Sequence, residues 1–192
     1  MFLAPETSRN LNALGLLAIC LVLAMTFYDQ LAHSDLPCPL CLLQRLGFVA
    51  VGFGLCLNVI HGPRPRHYAL MLIAALFGIS VSGRQILLHI VPGTGSYGEP
   101  FLGLHFYTWA FVCFFLVLLG TAIMLLSEGQ YRSEGRVSPA RFGGRLLPKA
   151  AFALMVLLAA ANAISALLEC GPGVCDDDPA TYKLLEEAAP RS

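Results

Sequence analysis

Five blocks of mostly apolar residues, each around 20 long, constrain this chain more than any other feature of it. A helix needs about 20 such residues to cross roughly 30 Å of hydrocarbon, where lipid offers its backbone no hydrogen-bond partners, so each block is predicted to span a bilayer. The spans are placed at Leu11 to Asp29, Cys41 to Ile60, Tyr68 to Ile90, His105 to Ser127 and Ala150 to Glu169. They fill more than half of the 192 residues and leave no connection long enough for another domain. With 12% of residues charged, against about 25% in soluble domains, neither a soluble globule nor a disordered chain fits. Twelve basic residues balance twelve acidic ones, so no basic excess points to nucleic acid.

The fold class that follows is an all-α integral membrane protein. His61-Gly-Pro-Arg-Pro-Arg-His67 and the Gly- and Pro-rich Val91 to Pro100 read as turns, and no fixed-period repeat is present. Residues 1–127 form one unit of four spans, 128–148 a polar connection, and 149–192 the fifth span with a tail. Arg9, Arg64, Arg66, Arg132, Arg136, Arg141, Arg145 and Lys149, eight of twelve basic residues, fall on the side of the N-terminus. By the positive-inside rule that side is cytoplasmic and the C-terminal tail is external. Ala32-His33-Ser34 imitates a signal-peptide cleavage site, but the first apolar run exceeds the usual run of about 7 to 15 residues.

Depth sorts the seven cysteines. Cys20, Cys56 and Cys113 lie inside spans and read as small apolar packing residues. The others form two close pairs, Cys38-Pro-Leu-Cys41 ahead of the second span and Cys170-Gly-Pro-Gly-Val-Cys175 past the fifth. Four spans separate the pairs, and an even number of crossings puts both on one side. By the charge count it is the oxidising one. Cys41 opens a helix, where unpaired amides and the dipole favour a thiolate, the reactive form. Arg45 sits one turn deeper on the same face, either snorkelling outward or stabilising that thiolate and holding a carbonyl of a bound acceptor.

The loop closed by Cys170 and Cys175 is small, so a disulfide there is a weak staple better suited to exchange. Asp176, Asp177 and Asp178 follow it. Their charge disfavours a Cys175 thiolate and makes Cys170 the better leaving group, which directs an incoming thiolate to Cys175. Alternatively the run is a solvated tail, with Asp178 and Pro179 starting a short helix over Tyr182 to Glu187.

Arg84 and Gln85 lie at a depth like that of Arg45 and are candidates for a second contact to an acceptor, or for snorkelling. His89 and His105 flank the loop between the third and fourth spans and are candidate proton relays. Tyr97, Tyr107 and Trp109 read as an interfacial aromatic belt. Ala74, Gly78 and Ser82, and likewise Ala159 and Ala163, recur every four residues, a pattern of close helix packing.

At Cys38-Pro-Leu-Cys41-Leu-Leu-Gln-Arg45, Gly83-Arg-Gln-Ile-Leu-Leu-His89 and Gly103-Leu-His-Phe-Tyr-Thr-Trp109, the chain resembles the disulfide-bond formation protein B (DsbB) family, over roughly Leu11 to Ser127. The resemblance implies a four-helix bundle, here with a fifth transmembrane helix, in the bacterial inner membrane. It implies a disulfide oxidoreductase that reoxidises a DsbA-like periplasmic thiol oxidase and passes electrons to ubiquinone or menaquinone. Cys38 and Cys41 would then be the quinone-facing pair, with Arg45 at the quinone head group and Arg84 and His89 as further cofactor-binding candidates. Family members carry their second cysteine pair between the third and fourth spans, where this chain has none, so the role passes to Cys170 and Cys175. The family's mixed disulfide forms at the first cysteine of that pair, here Cys170, opposite to the electrostatic reading. Three rivals remain: a quinone-linked reductase running in the opposite direction, a four-thiolate zinc site built from the spacings C-x2-C and C-x4-C, and a structural membrane scaffold with inert disulfides.

Overall fold

The computed structural model describes residues 3–33, 35–91, 93–95, 100–131 and 146–188. Tyr97, Arg132, Arg136, Arg141, Arg145 and Arg191 lie outside the described residues, as does most of the polar connection. The helices are α1 (Pro5–His33), α2 (Pro39–His61), α3 (Pro65–Leu88), α4 (Phe106–Leu125), α5 (Leu146–Cys170) and α6 (Lys183–Ala188), with a 3-10 turn at Glu128–Tyr131. Helices α1 to α5 are long and apolar enough to cross a membrane. The helices α1, α2, α3 and α5 overrun the apolar blocks into flanking polar residues, because hydropathy marks the hydrocarbon-facing stretch while the hydrogen-bonded turns continue beyond it. The tail helix starts at Lys183, so Asp178 does not cap it; its first turn is held by Leu185 N donating to the Tyr182 carbonyl and by Thr181 Oγ1 donating to Glu186.

Local chemistry sets the ends. Cys38 caps α2 and Pro39 occupies its first position, where a missing N–H costs nothing. Gly62 (φ 84°) and Gly171 (φ 63°) end α2 and α5 in the left-handed region that favours glycine.

Helix α2 is central, packed on α1 and α3, with α4 mainly against α3 and α5 against α1 and α2. The core joins Leu16, Leu23, Phe48, Val51, Leu55, Tyr68, Phe114 and Met155. Outward residues are large and apolar, such as Leu21, Phe53, Ile73, Leu116 and Leu157, as a lipid-facing surface requires. Phe114 of α4 stacks on Phe48 with 4.0 Å between ring centroids and covers Gly47 and Gly78. Ala74, Gly78 and Ser82 therefore do line a close helix contact. Ala159 packs against the core, whereas Ala163 is exposed, so the second small-residue pair is not a packing seam.

The end of the bundle away from the paired cysteines is fastened by buried polar groups. Ser8 Oγ donates to Gln130 Oε1 at 2.6 Å, Asn12 Nδ2 to Tyr68 Oη at 2.9 Å, and Asn58 Nδ2 to Asn12 Oδ1 at 2.9 Å. These bonds tie α1, α2, α3 and the 3-10 turn together in a medium that offers polar groups few other partners.

Candidate active site

Cys38 and Cys41 are free thiols at the start of α2, Cys38 buried and Cys41 partly open. The Cys38 sulfur takes the N-cap place and accepts from the Cys41 backbone N–H at 3.3 Å. Gln85 of α3 lies across both sulfurs. Its Nε2 donates to Cys38 Sγ at 3.3 Å and to Cys41 Sγ at 3.5 Å, while its Oε1 accepts from Gln44 Nε2 at 2.7 Å. Cys38, just ahead of the span, is held above the ordinary thiol range, first by its hydrogen bond with Cys41 and then by burial. It keeps its proton, leaving Cys41 as the sulfur that faces open space.

Arg45 does not snorkel. It is 7% exposed and turns inward, Nη1 donating to Gln30 Oε1 at 2.6 Å and Nη2 to the Thr26 carbonyl at 3.1 Å, with its guanidinium 5.2 Å from the centre of the Phe27 ring. Gln30 passes the connection on, donating to Ser165 Oγ of α5 at 3.0 Å and to Tyr182 Oη of the tail at 2.7 Å. One buried amide thus joins α1, α2, α5 and the C-terminal tail at the end of the bundle that carries Cys38 and Cys41.

Beside Cys41 lies a cavity of about 260 Å³ between α1, α2 and α4. Leu21, Met25, Phe48, Phe106 and Trp109 give it apolar and aromatic walls, and Cys38, Cys41, Gln44 and Arg45 put polar groups at one end. Tyr107 and Trp109 belong to this wall rather than only to an interfacial belt, and Cys113, expected to be plain packing, lines it as well. Tyr107 lies between two histidines, its ring centroid 5.4 Å from that of His89 and 5.4 Å from that of His105. Neither histidine lines the cavity, and Arg84 is exposed on α3 away from it.

Cys170 and Cys175 are joined by a disulfide, so the four-thiolate arrangement that zinc would need is not formed. Val174 between them is 88% exposed, which leaves the loop open to a partner. Lys183 forms an ion pair with Asp176 at 3.0 Å, so the charge pressing on Cys175 is smaller than three free carboxylates would make it. Sequence reasoning missed Gln30 and Glu169. Both are polar residues inside apolar helices, and that rarity in lipid was the available signal.

The sequence profile described as disulfide bond formation protein DsbB matches residues 8–96, which include Cys38, Cys41, Arg45 and Gln85 but not Cys170 or Cys175. The chain is 35% identical over 156 residues to disulfide bond formation protein B of Marinobacter nauticus, covering 62% of this chain and 93% of that protein. It is 36% identical over 115 residues to the protein of the same name from Xanthomonas euvesicatoria pv. vesicatoria, covering 56% of this chain and 67% of that protein. With the Methylococcus capsulatus protein of that name it shares 32% over 144 residues, 56% of this chain and 88% of that protein. No solved structure matches it significantly. A redox-type cysteine pair held at a helix end inside five apolar helices, together with near-complete coverage of a relative, makes this chain a multi-pass membrane protein of the disulfide bond formation protein B family.

Proposed function

We propose that the chain is a membrane thiol:quinone oxidoreductase of the bacterial inner membrane. In this reading it reoxidises a DsbA-like periplasmic thiol oxidase and passes the electrons to ubiquinone or menaquinone. The observation that carries the reading is Cys41 at the polar end of an apolar, aromatic-walled cavity of about 260 Å³, with Arg45 one turn below it. That donor set fits a flat ring with two polar oxygens. A quinone, when bound, supplies the capacity to take up two electrons and two protons.

The chain's own residues supply the rest. Gln85 holds the two sulfurs in place, and Cys38 retains its proton while Cys41 reacts. Arg45 keeps positive charge beside the Cys41 sulfur and within reach of a carbonyl oxygen, and Phe106 and Trp109 keep water from the reacting end. The Cys170–Cys175 disulfide, with Cys170 buried and Cys175 the more open sulfur, receives the partner's thiolate, and the reduced pair then passes its electrons to Cys38 and Cys41 by thiol exchange. The distribution of arginines supports placing both pairs on the periplasmic side.

Purified protein, a reduced thioredoxin-like oxidase and a soluble quinone provide the test. Quinone reduction is expected with the native chain and lost with Cys41→Ser; activity that survives this change overturns the reading. Arg45→Ala is expected to raise the quinone concentration needed about tenfold while exchange at Cys170–Cys175 continues. Oxidation of a quinol by the oxidised partner, with no reaction in the forward direction, would instead make the chain a reductase.

A further inference from the structure

Glu169 closes the last turn of α5 next to Cys170 and is 2% exposed, yet neither of its carboxyl oxygens has a hydrogen-bond partner among the described residues. Ser165 lies one turn before it on the same helical face, and Ser165 meets Gln30, whose oxygen receives Arg45 at 2.6 Å. The carboxyl therefore faces the space that holds the guanidinium, and it lies within electrostatic range of both Arg45 and Cys41. From α1 and the tail, Asp29 and Tyr182 also act on Arg45. Asp29 is partly exposed and sits 2.9 Å from His33.

Arg45's own hydrogen bonds end on the neutral oxygens of Gln30 and Thr26, and a buried guanidinium without a counter-charge is costly. A Cys41 thiolate supplies that counter-charge only while the pair is reduced. Once Cys41 is bonded to Cys38 its sulfur is neutral, and Glu169 is the buried group left to balance Arg45. With both negative, two like charges would act on each other and on a single buried cation.

We propose that Glu169 holds the proton that moves when the Cys38–Cys41 pair changes redox state, a proposal that rests on that pair being the redox-active one. An incoming dithiol breaks the Cys38–Cys41 bond and forms its own disulfide, giving up two electrons. Of its two thiol protons, one ends on the Cys38 sulfur and the other on the Glu169 carboxylate, leaving Cys41 as a thiolate. The negative charge has passed from Glu169 to Cys41, and the site around Arg45 keeps the same net charge throughout. On reoxidation both protons leave with the two electrons to the quinone-class acceptor. Glu169 thus couples proton movement to electron movement without touching either sulfur.

The test is an infrared difference spectrum between oxidised and dithiothreitol-reduced full-length protein, with thiol trapping of Cys38 and Cys41 in the same samples. Reduction is expected to bring in the C=O stretch of a protonated carboxyl, absent in Glu169→Gln and present at a shifted frequency in Glu169→Asp. The aspartate variant carries the test if the glutamine variant does not fold. A pair that cycles with no such band, or with one unchanged in frequency by Glu169→Asp or surviving Glu169→Gln, overturns the role of Glu169 and leaves the redox reading standing. A pair locked in one state by trapping overturns both.

Discussion

Gln85 and Arg84 are neighbours in sequence and opposites in the fold. On a helix adjacent side chains point about 100° apart, so only one of the two can face α2, and it is the amide: Gln85 is fully buried while Arg84 is exposed. The amide suits the place, because it donates to two sulfurs and accepts from Gln44 without bringing a charge that Arg45 would oppose. Gln85→Leu keeps the bulk and removes the donors. A hydrogen bond to a charged group contributes about 1.5–3 kcal/mol, so Cys41 alkylation and quinone reduction are each expected to slow about tenfold or more while the helices remain folded by circular dichroism. Arg84→Gln is expected to leave both rates within about twofold, the usual range for a surface change.

At the scale of the helix, Gly47 of α2 and Gly78 of α3 make room for Phe114. A Cβ on Gly78 would lie 2.3 Å from the Phe114 ring, and one on Gly47 would lie 2.9 Å from it. Overpacking of that kind typically costs about 1–3 kcal/mol. Gly78→Ala is therefore expected to lower the thermal midpoint in detergent by several degrees. Gly120→Ala, where an added Cβ meets nothing within 4 Å, is expected to be neutral or slightly stabilising through helix propensity. Because Phe114 stacks on Phe48 beside the cavity, Gly78→Ala should also weaken quinone binding, measurable as a higher quinone requirement.

For the whole molecule, the question is how the fifth helix and tail are coupled to the bundle. Gln30 is the joint, bonded at once to Arg45, Ser165 and Tyr182. Tyr182→Phe removes only the tail's share. It is expected to slow electron transfer from a reduced Cys170–Cys175 pair to Cys38 and Cys41 by roughly the worth of one hydrogen bond, about fivefold. Cys41's own reaction with a small alkylating reagent should not change. Stopped-flow quenching with thiol trapping would read the two rates separately, and equal slowing of both would mean that Tyr182 acts on the bundle as a whole.

Much of this organisation was already written in the residues. The five spans and the two cysteine pairs follow from hydropathy and spacing, and their common end follows from counting crossings. These properties add up along the chain and need no knowledge of neighbours. Arg45 could be read only as a charge that must snorkel or be used, because its burial depends on Gln30 of another helix. Glu169 passed unnoticed as the end of an apolar block, since its meaning lies in how α5 is rotated against α1 and α2. Tyr107 and Cys113 looked like a belt and packing until the cavity gave them a wall to form. Sequence alone determined which segments enter the lipid and where the sulfurs come out. Tertiary structure decided which polar side chains meet there, because rotation and register between helices are set by the packing of all of them together.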